Sequence, residues 1–280
     1  MPPLWLAYPE IERYSIGWRM GYGEDYKYKF FDWFETLSQE EKAQYRTLFP
    51  EPVTWKGWWE NTDACEWLEH DEFWIFQWRE SGTPKYTKDW FQQEAAGGKR
   101  FDLCMFWKPP LSEDEDITQS CFSQWSMQEF RYVVEEYSCM EQFMMEQKAK
   151  LFGDEEIGNC ILESQDPRQM KALGQKVRGF DEALWDTFKH SIVLNGNWCK
   201  FSQNRKLRDF LLSTGDSILV EASPYDKIWG IGLSTDSPDV QNPFKWRGRN
   251  MLGFALMEVR DELRRITQNE ALCDWSGFNC

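Results

Sequence analysis

Histidine is almost missing: His70 and His190 are the only two in 280 residues. The eight cysteines contain no C-x-x-C pair. Structural and catalytic zinc sites draw on Cys and His at short spacings, so no metal site is expected. A basic surplus is missing too. Lys and Arg total 32 against 47 Asp and Glu, which leaves a net charge of −15. A general grip on nucleic-acid phosphates needs a basic surface. Any nucleic-acid contact must then be local, brief, or directed at a modified end or base. No stretch approaches the roughly 18 continuous apolar residues of a membrane helix. The N-terminus carries no basic region followed by an apolar run, so no signal peptide is expected. The cysteines read as reduced, mostly buried residues of a cytoplasmic protein.

What is abundant is tryptophan, with 17 residues. So many indoles exceed what one core buries, and some are expected to line a groove or an interdomain surface. Much of the excess lies in residues 1–98, which read as a separate, mainly helical extension. Phe30–Leu37 is apolar at helical spacing. Ser38 followed by Glu40 and Glu41 reads as a helix N-cap and acidic first turn, the helix ending before Pro50. The indoles from Trp55 to Trp90 make either an aromatic core or a stacking surface for bases, and the scarcity of Lys and Arg there favours a core. Residues 95–98 read as a linker.

From residue 99 the pattern is α+β and helix-dominated, with a few short strands. Phe101–Trp107 reads as a buried strand stopped by Lys108-Pro109-Pro110. Residues 112–116 read as a solvated acidic loop, and Phe130–Ser138 as a β-hairpin. Helices are expected over 155–164, from an Asp166 N-cap with Pro167 at the first position to near Gly179, over 181–194, over 204–214 and over 251–266. Residues 217–222 read as a strand and 267–280 as a loose tail. Gly248 to Gly253 has the glycine spacing of a phosphate loop without its Lys-Ser/Thr. Its backbone N–H groups, beside Arg247 and Arg249, are expected to suit a phosphate at a helix start.

The helix expected over Tyr137–Phe152 has an unusual inner face. At 100° per residue, Glu141 shares a stripe with Met144, Met145, Lys148 and Phe152. A carboxylate and an amine therefore lie on the apolar side, roughly 10 Å apart along the axis. They either snorkel from the rim of the core or reach two ends of one small molecule. Ser138 precedes Glu141 at capping-box spacing, which gives Glu141 an alternative structural role.

An ordered set of motifs from about residue 100 to 266 resembles the NADAR family, also called YbiA-like N-glycosidases. The set runs Phe106-Trp107, Phe122-Ser123-Gln124-Trp125, Tyr137-Ser138 to Glu141-Gln142, Lys148-Ala149, Pro167, Lys171-x-Leu173-Gly174 and Trp185. It continues with Lys200-Phe201, Leu219 to Pro224, Asp226-x-x-Trp229-Gly230-x-Gly232, and Asn250-x-Leu252-Gly253 through Arg260. Many members carry Arg where this chain has Gln175, which puts the substrate in question.

The resemblance implies a YbiA-like NADAR fold over 99–266. It implies a hydrolase that cleaves the N-glycosidic bond between a base and ribose or ADP-ribose, without a metal or cofactor. The expected substrate is ADP-ribosylated guanine in DNA or RNA. The alternatives are riboflavin-pathway ribosylamino-pyrimidine phosphates, or ADP-ribose binding without cleavage. Residues 1–98 are then a platform for a protein partner or substrate. A carboxyl among methionines gains a raised pKa and suits a general acid, and a desolvated lysine suits a nucleophile. Glu141 is accordingly read as general acid/base and Lys148 as nucleophile or electrostatic partner. Asp226 is read as holding ribose hydroxyls or activating water. Trp125 and Trp229 are expected to stack on the base or adenine, and Gly230, Arg249 and Asn250 to contact ribose or phosphate.

Overall fold

The computed structural model describes residues 1–108 and 117–276; the acidic stretch 112–116 lies outside them. In chain order the elements are α1 (Leu4–Ala7), α2 (Tyr22–Thr36), α3 (Gln39–Leu48), β1 (Glu66–His70), β2 (Phe73–Gln77), α4 (Lys88–Ala96) and β3 (Leu103–Phe106). They continue with β4 (Met127–Tyr132), β5 (Glu135–Cys139), α5 (Met140–Leu151), α6 (Glu155–Glu163), α7 (Pro167–Gly174), α8 (Glu182–Gln203), α9 (Arg205–Ser213), β6 (Ile218–Glu221) and α10 (Met251–Thr267). Helices dominate, and the strands form three separate pairs: β1–β2 antiparallel, β3–β6 parallel, and β4–β5 antiparallel.

Local signals explain most boundaries. Ser38 and Glu41 form a reciprocal capping box at α3, satisfying two backbone donors that a helix start otherwise leaves open. Asp154, Asp166, Asp181 and Asn204 cap α6, α7, α8 and α9 through their side-chain oxygens. Two boundaries differ from the sequence expectation. Helix α7 stops at Gly174, not near Gly179, because the Gly174 carbonyl turns to accept from Lys148 Nζ at 2.8 Å. Helix α8 runs on to Gln203, its C-terminal half buried almost all round, so the one-sided apolar stripe that marked 181–194 does not mark its end.

Residues 1–98 pack directly onto the rest of the chain, within one hydrophobic core. Trp5 meets Trp55, Trp58 and Trp59 edge-on, each at 5.5 Å. Polar clamps then tie this part to α8 and α10. Asn195 donates to the Phe76 carbonyl at 2.7 Å, Tyr86 donates to Asp261 at 2.6 Å, and the Val53 N–H donates to Glu262 at 2.6 Å. Beyond α10, Asn269 donates to the Leu48 carbonyl at 2.8 Å and Arg208 pairs with Glu270 at 2.8 Å, so residues 268–272 are anchored rather than loose.

Parallel pairing of β3 with β6 sets Phe106 beside Glu221. Helix α5 crosses nearby on α6, α7 and α8. The ends of these elements surround one cavity.

Candidate active site

The cavity measures about 1130 Å³, and its wall includes Glu141, Met144, Met145 and Lys148 of α5. The stripe read from helical spacing therefore faces it. The capping-box role expected for Glu141 does not hold. Cys139 is the N-cap of α5, and Ser138 donates through both N–H and Oγ to Gln142, at 2.8 and 3.0 Å. Gln142 sits one position later on the helix and reaches Ser138 first, which leaves Glu141 to the cavity. Trp125 Nε1 donates to Glu141 Oε2 at 3.1 Å. Glu141 Oε1 is buried with no partner among the described residues. Burial pushes the carboxyl up to about 7, opposed by the nearby Lys171 charge and by the Trp125 N–H. Loss of hydration dominates because Glu141 is 3% exposed.

A second carboxyl, to which the sequence reading gave no role, lines the same cavity. Glu221 ends β6, and its Oε2 is buried and unpartnered among the described residues. Burial pushes it up to about 8; the charges of Asp226 and Glu141 raise it further, and Lys171 opposes them. Both glutamates thus feel the charges of Asp226 and of the Lys171 ammonium. Lys171, on α7, also lies 5.9 Å from the Trp125 ring centroid.

Asp226 is held by its turn. Its Oδ1 accepts from the Ile228 and Trp229 N–H groups, both at 2.8 Å. Trp229 and Tyr225, with Trp107 and Trp125, supply aromatic wall. Gly230, Arg249 and Asn250 are not brought to this wall. A Cβ on Gly230 would lie 2.8 Å from the Glu221 carbonyl oxygen, so its place is set by close packing of the turn on β6. Asn250 is fully buried in the left-handed conformation. Its Oδ1 accepts from the Glu221 N–H at 2.9 Å and its Nδ2 donates to the Leu219 carbonyl at 2.8 Å. It clips β6 and so sets where Glu221 stands.

The phosphate-loop expectation fails for a related reason. The N–H groups of residues 247–252 donate to the carbonyls of Lys227, Ile228, Trp229, Gly230 and Ile231. A backbone donor already bonded to backbone has no hydrogen left for an anion. A Cβ on Gly248 would lie 2.2 Å from the Gly230 carbonyl oxygen, so this glycine permits two backbones to touch. Cations gather elsewhere. Lys108, Arg168, Lys171 and Lys227 stand at the cavity, as does Gln175, in a chain of net charge −15.

Lys148 is half-buried at the same wall. Its Nζ is 4.1 Å from the Phe180 ring centroid, and desolvation lowers its pKa. Behind the wall, Lys200 is wholly buried. Its Nζ donates to the Cys121 and Ser123 carbonyls at 2.6 and 3.3 Å, and burial lowers it to about 8. It pins the segment that carries Trp125.

The NADAR domain model matches residues 105–264 of this chain. The chain is similar to the N-glycosidase R617 of Acanthamoeba polyphaga mimivirus, 44% identical over 146 residues, covering 50% of this chain and 86% of that one. It is similar to the N-glycosidase Npun_R5314 of Nostoc punctiforme at 31% identity over 146 residues, covering 52% and 86% respectively. The NMR structure of the E. coli protein YbiA aligns with a TM-score of 0.48 at 23% identity, over 63% of this chain and 90% of that one.

Proposed function

Because the chain belongs to the NADAR domain family, whose model matches residues 105–264, we propose that it is an N-glycosidase that releases ADP-ribose from guanine in nucleic acid. The observation that carries the chemistry is the Glu141 carboxyl, buried at a cavity wall with one oxygen free among the described residues and a pKa pushed up to about 7. Two relatives described above are named N-glycosidases. N-glycoside cleavage needs a proton for the leaving nitrogen and stabilisation of the positive charge that develops at the sugar carbon. Near neutral pH, Glu141 holds that proton on a substantial fraction of molecules. Asp226 and the ionised fraction of Glu221 supply negative charge for the sugar carbon.

Lys148 is assigned the nucleophile's place. In its neutral form its lone pair attacks C1′ as the C1′–N bond breaks and the base leaves with the Glu141 proton; the ammonium so formed on Nζ then returns a proton to the Glu141 carboxylate. Opening of the sugar then gives an imine, which water hydrolyses to free the sugar and regenerate the amine.

The substrate assignment rests on size and charge. The cavity, about 1130 Å³, lies just above the range of pockets that enclose drug-sized ligands, roughly 300–1,000 Å³. A base joined to ADP-ribose fits that scale better than one pyrimidine ribose phosphate. Trp107, Trp125, Tyr225 and Trp229 offer enough aromatic wall for two bases, and Lys108, Arg168, Lys171 and Lys227 suit a pyrophosphate.

The test is mass-spectrometric product analysis with two substrates, ADP-ribosylated guanine DNA and a ribosylamino-pyrimidine phosphate. Free ADP-ribose and unmodified DNA are expected from the first. Cleavage of the second alone would keep the N-glycosidase and overturn its substrate. Binding of ADP-ribose with cleavage of neither would overturn the enzyme.

A further inference from the structure

A second cavity, of about 300 Å³, opens where residues 1–98 meet α8 and the β4–β5 turn, and none of its lining residues lines the larger one. Its aromatic wall follows from strand alternation. Trp74 and Phe76 project from the same face of β2, and Trp67 stands opposite Phe76 in the β1–β2 register. The Trp67 and Trp74 rings are 5.1 Å apart with planes at 80°, and Trp67 and Phe76 are 5.6 Å apart at 87°. Rings that meet at right angles form the corner of a box. A flat base stacks instead in a slot between parallel rings.

The cavity also holds a carboxyl. Glu12 lies among Tyr132, Val133 and Cys199: the Val133 N–H reaches it, and burial raises the Tyr132 hydroxyl and the Cys199 thiol, with the Glu12 charge raising both further. Burial pushes Glu12 itself up to about 7. Three of the other polar side chains on the wall are engaged. The Arg13 guanidinium donates to the carbonyls of Trp55, Lys56 and Thr62. Tyr14 donates to Asp63 at 2.7 Å, and the Asn195 amide bonds Phe76 and Ser191. Glu12 is thus an acceptor at the edge of an aromatic corner, with Asp63 as a second negative charge against the one of Arg13.

Ring faces attract cations, and a carboxylate adds direct charge attraction. A primary ammonium holds its hydration shell tightly. Methyl groups weaken that shell and match apolar walls. We propose that this aromatic cavity binds a methylated ammonium group, seated against the Trp67 and Trp74 rings with its charge towards Glu12. Such a group comes either from a methylated lysine side chain of a partner protein or from a free quaternary amine.

The test is a calorimetric or tryptophan-fluorescence titration of the full chain. The probes are tetramethylammonium, choline, a trimethyl-lysine peptide, the same peptide unmethylated, and 3,3-dimethylbutan-1-ol, the neutral isostere of choline. Saturable binding of the methylated cations is expected, with the neutral isostere weaker by about tenfold or more. Trp74 is 56% exposed, so Trp74→Ala is expected to fold and to weaken tetramethylammonium binding by about tenfold. Glu12→Gln is expected to do the same at an unchanged melting temperature; if it fails to fold, Trp74→Ala carries the test. Choline bound in preference to the peptide assigns a small-molecule ligand, and the reverse a protein partner. Absence of saturable binding by all the cations at millimolar concentration overturns the proposal. So does equal affinity for the neutral alcohol, or undiminished binding by Trp74→Ala.

Discussion

Trp125 gives its indole hydrogen to one oxygen of Glu141, at 3.1 Å, and the other oxygen is left buried and unpaired among the described residues. One carboxyl thus has an anchored oxygen and a free one, which is what a positioned proton donor requires. Replacing Glu141 with Gln keeps the shape and the bond to Trp125 but removes the titratable proton. Turnover is expected to fall by about 10²–10⁴-fold. The melting temperature should stay level or rise at pH 8, since a buried charge is removed. Undiminished turnover in Glu141→Gln would remove the residue from the mechanism.

The rate should depend on pH through the same group. An acid must be protonated, so kcat/KM is expected to decline as pH rises through about 7, the value to which burial pushes Glu141. The Trp125 N–H favours the ionised form. Trp125→Phe should therefore move the alkaline limb of a pH–rate profile upward, and a downward shift would contradict the assignment.

Stability should follow pH in a defined direction. Glu12, Glu141 and Glu258 are pushed up from 4.5 to about 7, and Glu221 to about 8. Where folded values exceed unfolded ones, the folded state holds protons that the unfolded chain has released. Their contribution is fully present below about 4.5 and is lost as pH rises through 7 to 8. His190 acts the other way: burial lowers it from 6.5 to about 4, so its contribution is lost as pH falls through that window. Above 6.5 the carboxyls act without it. Melting temperature measured at constant ionic strength should drop between pH 6.5 and 8. Glu221→Gln should flatten that drop.

Lys200 acts on the site from behind. Lys200→Met removes a buried cation and leaves the Cys121 and Ser123 carbonyls without their donor. A buried acceptor left unpaired costs about 1–3 kcal/mol, while the lost desolvation of the ammonium offsets part of this. The readout that separates positioning from bulk stability is the pH–rate profile. A shifted alkaline limb in a variant that stays folded is expected, because the segment bearing Trp125 relaxes.

Asn250→Ala should weaken the fold and the catalyst together. Both bonds to β6 are lost, and Ala must take up a left-handed backbone at φ 55°. A loss of about 2–4 kcal/mol follows from two unmet backbone groups and a strained residue. Arg249→Ala, on the exposed side of the same turn, should leave KM unchanged. Chemical denaturation and initial-rate kinetics on both variants check the contrast.

Local rules carried the reading of the chain a long way. Ser38 with Glu41, Asp166 with Pro167, and the 3–4 spacing from Glu141 to Lys148 are short-range patterns, and short-range physics decides them. Glu221 escaped because it lies inside an expected strand, residues 217–222, and nothing near it in sequence says what its side chain faces. Only pairing of residues 103–106 with 218–221 brings it under α5. Lys171 escaped a role because its partners lie on other elements. The glycines from 248 to 253 misled for the opposite reason. Their spacing suits a phosphate, but it serves equally where the 227–231 backbone must come close, and spacing alone does not say which. Residues 1–98 read as a separate extension because their aromatic surplus is visible in sequence, while the clamps from Asn195, Glu262 and Asp261 to Phe76, Val53 and Tyr86 are not.

The parallel β3–β6 pair also sets an order of events during synthesis. A ribosome releases Leu103–Phe106 well before Ile218–Glu221. In that interval β3 shows an unpaired edge, open to pairing with other chains. Glu141 then has no facing carboxyl, and the turn from Asp226 to Trp229 does not yet exist. The cleft is therefore among the last features to be completed on the nascent chain. A fragment that stops short of residue 218 would carry every residue of α5 and have no catalytic floor for it to work against.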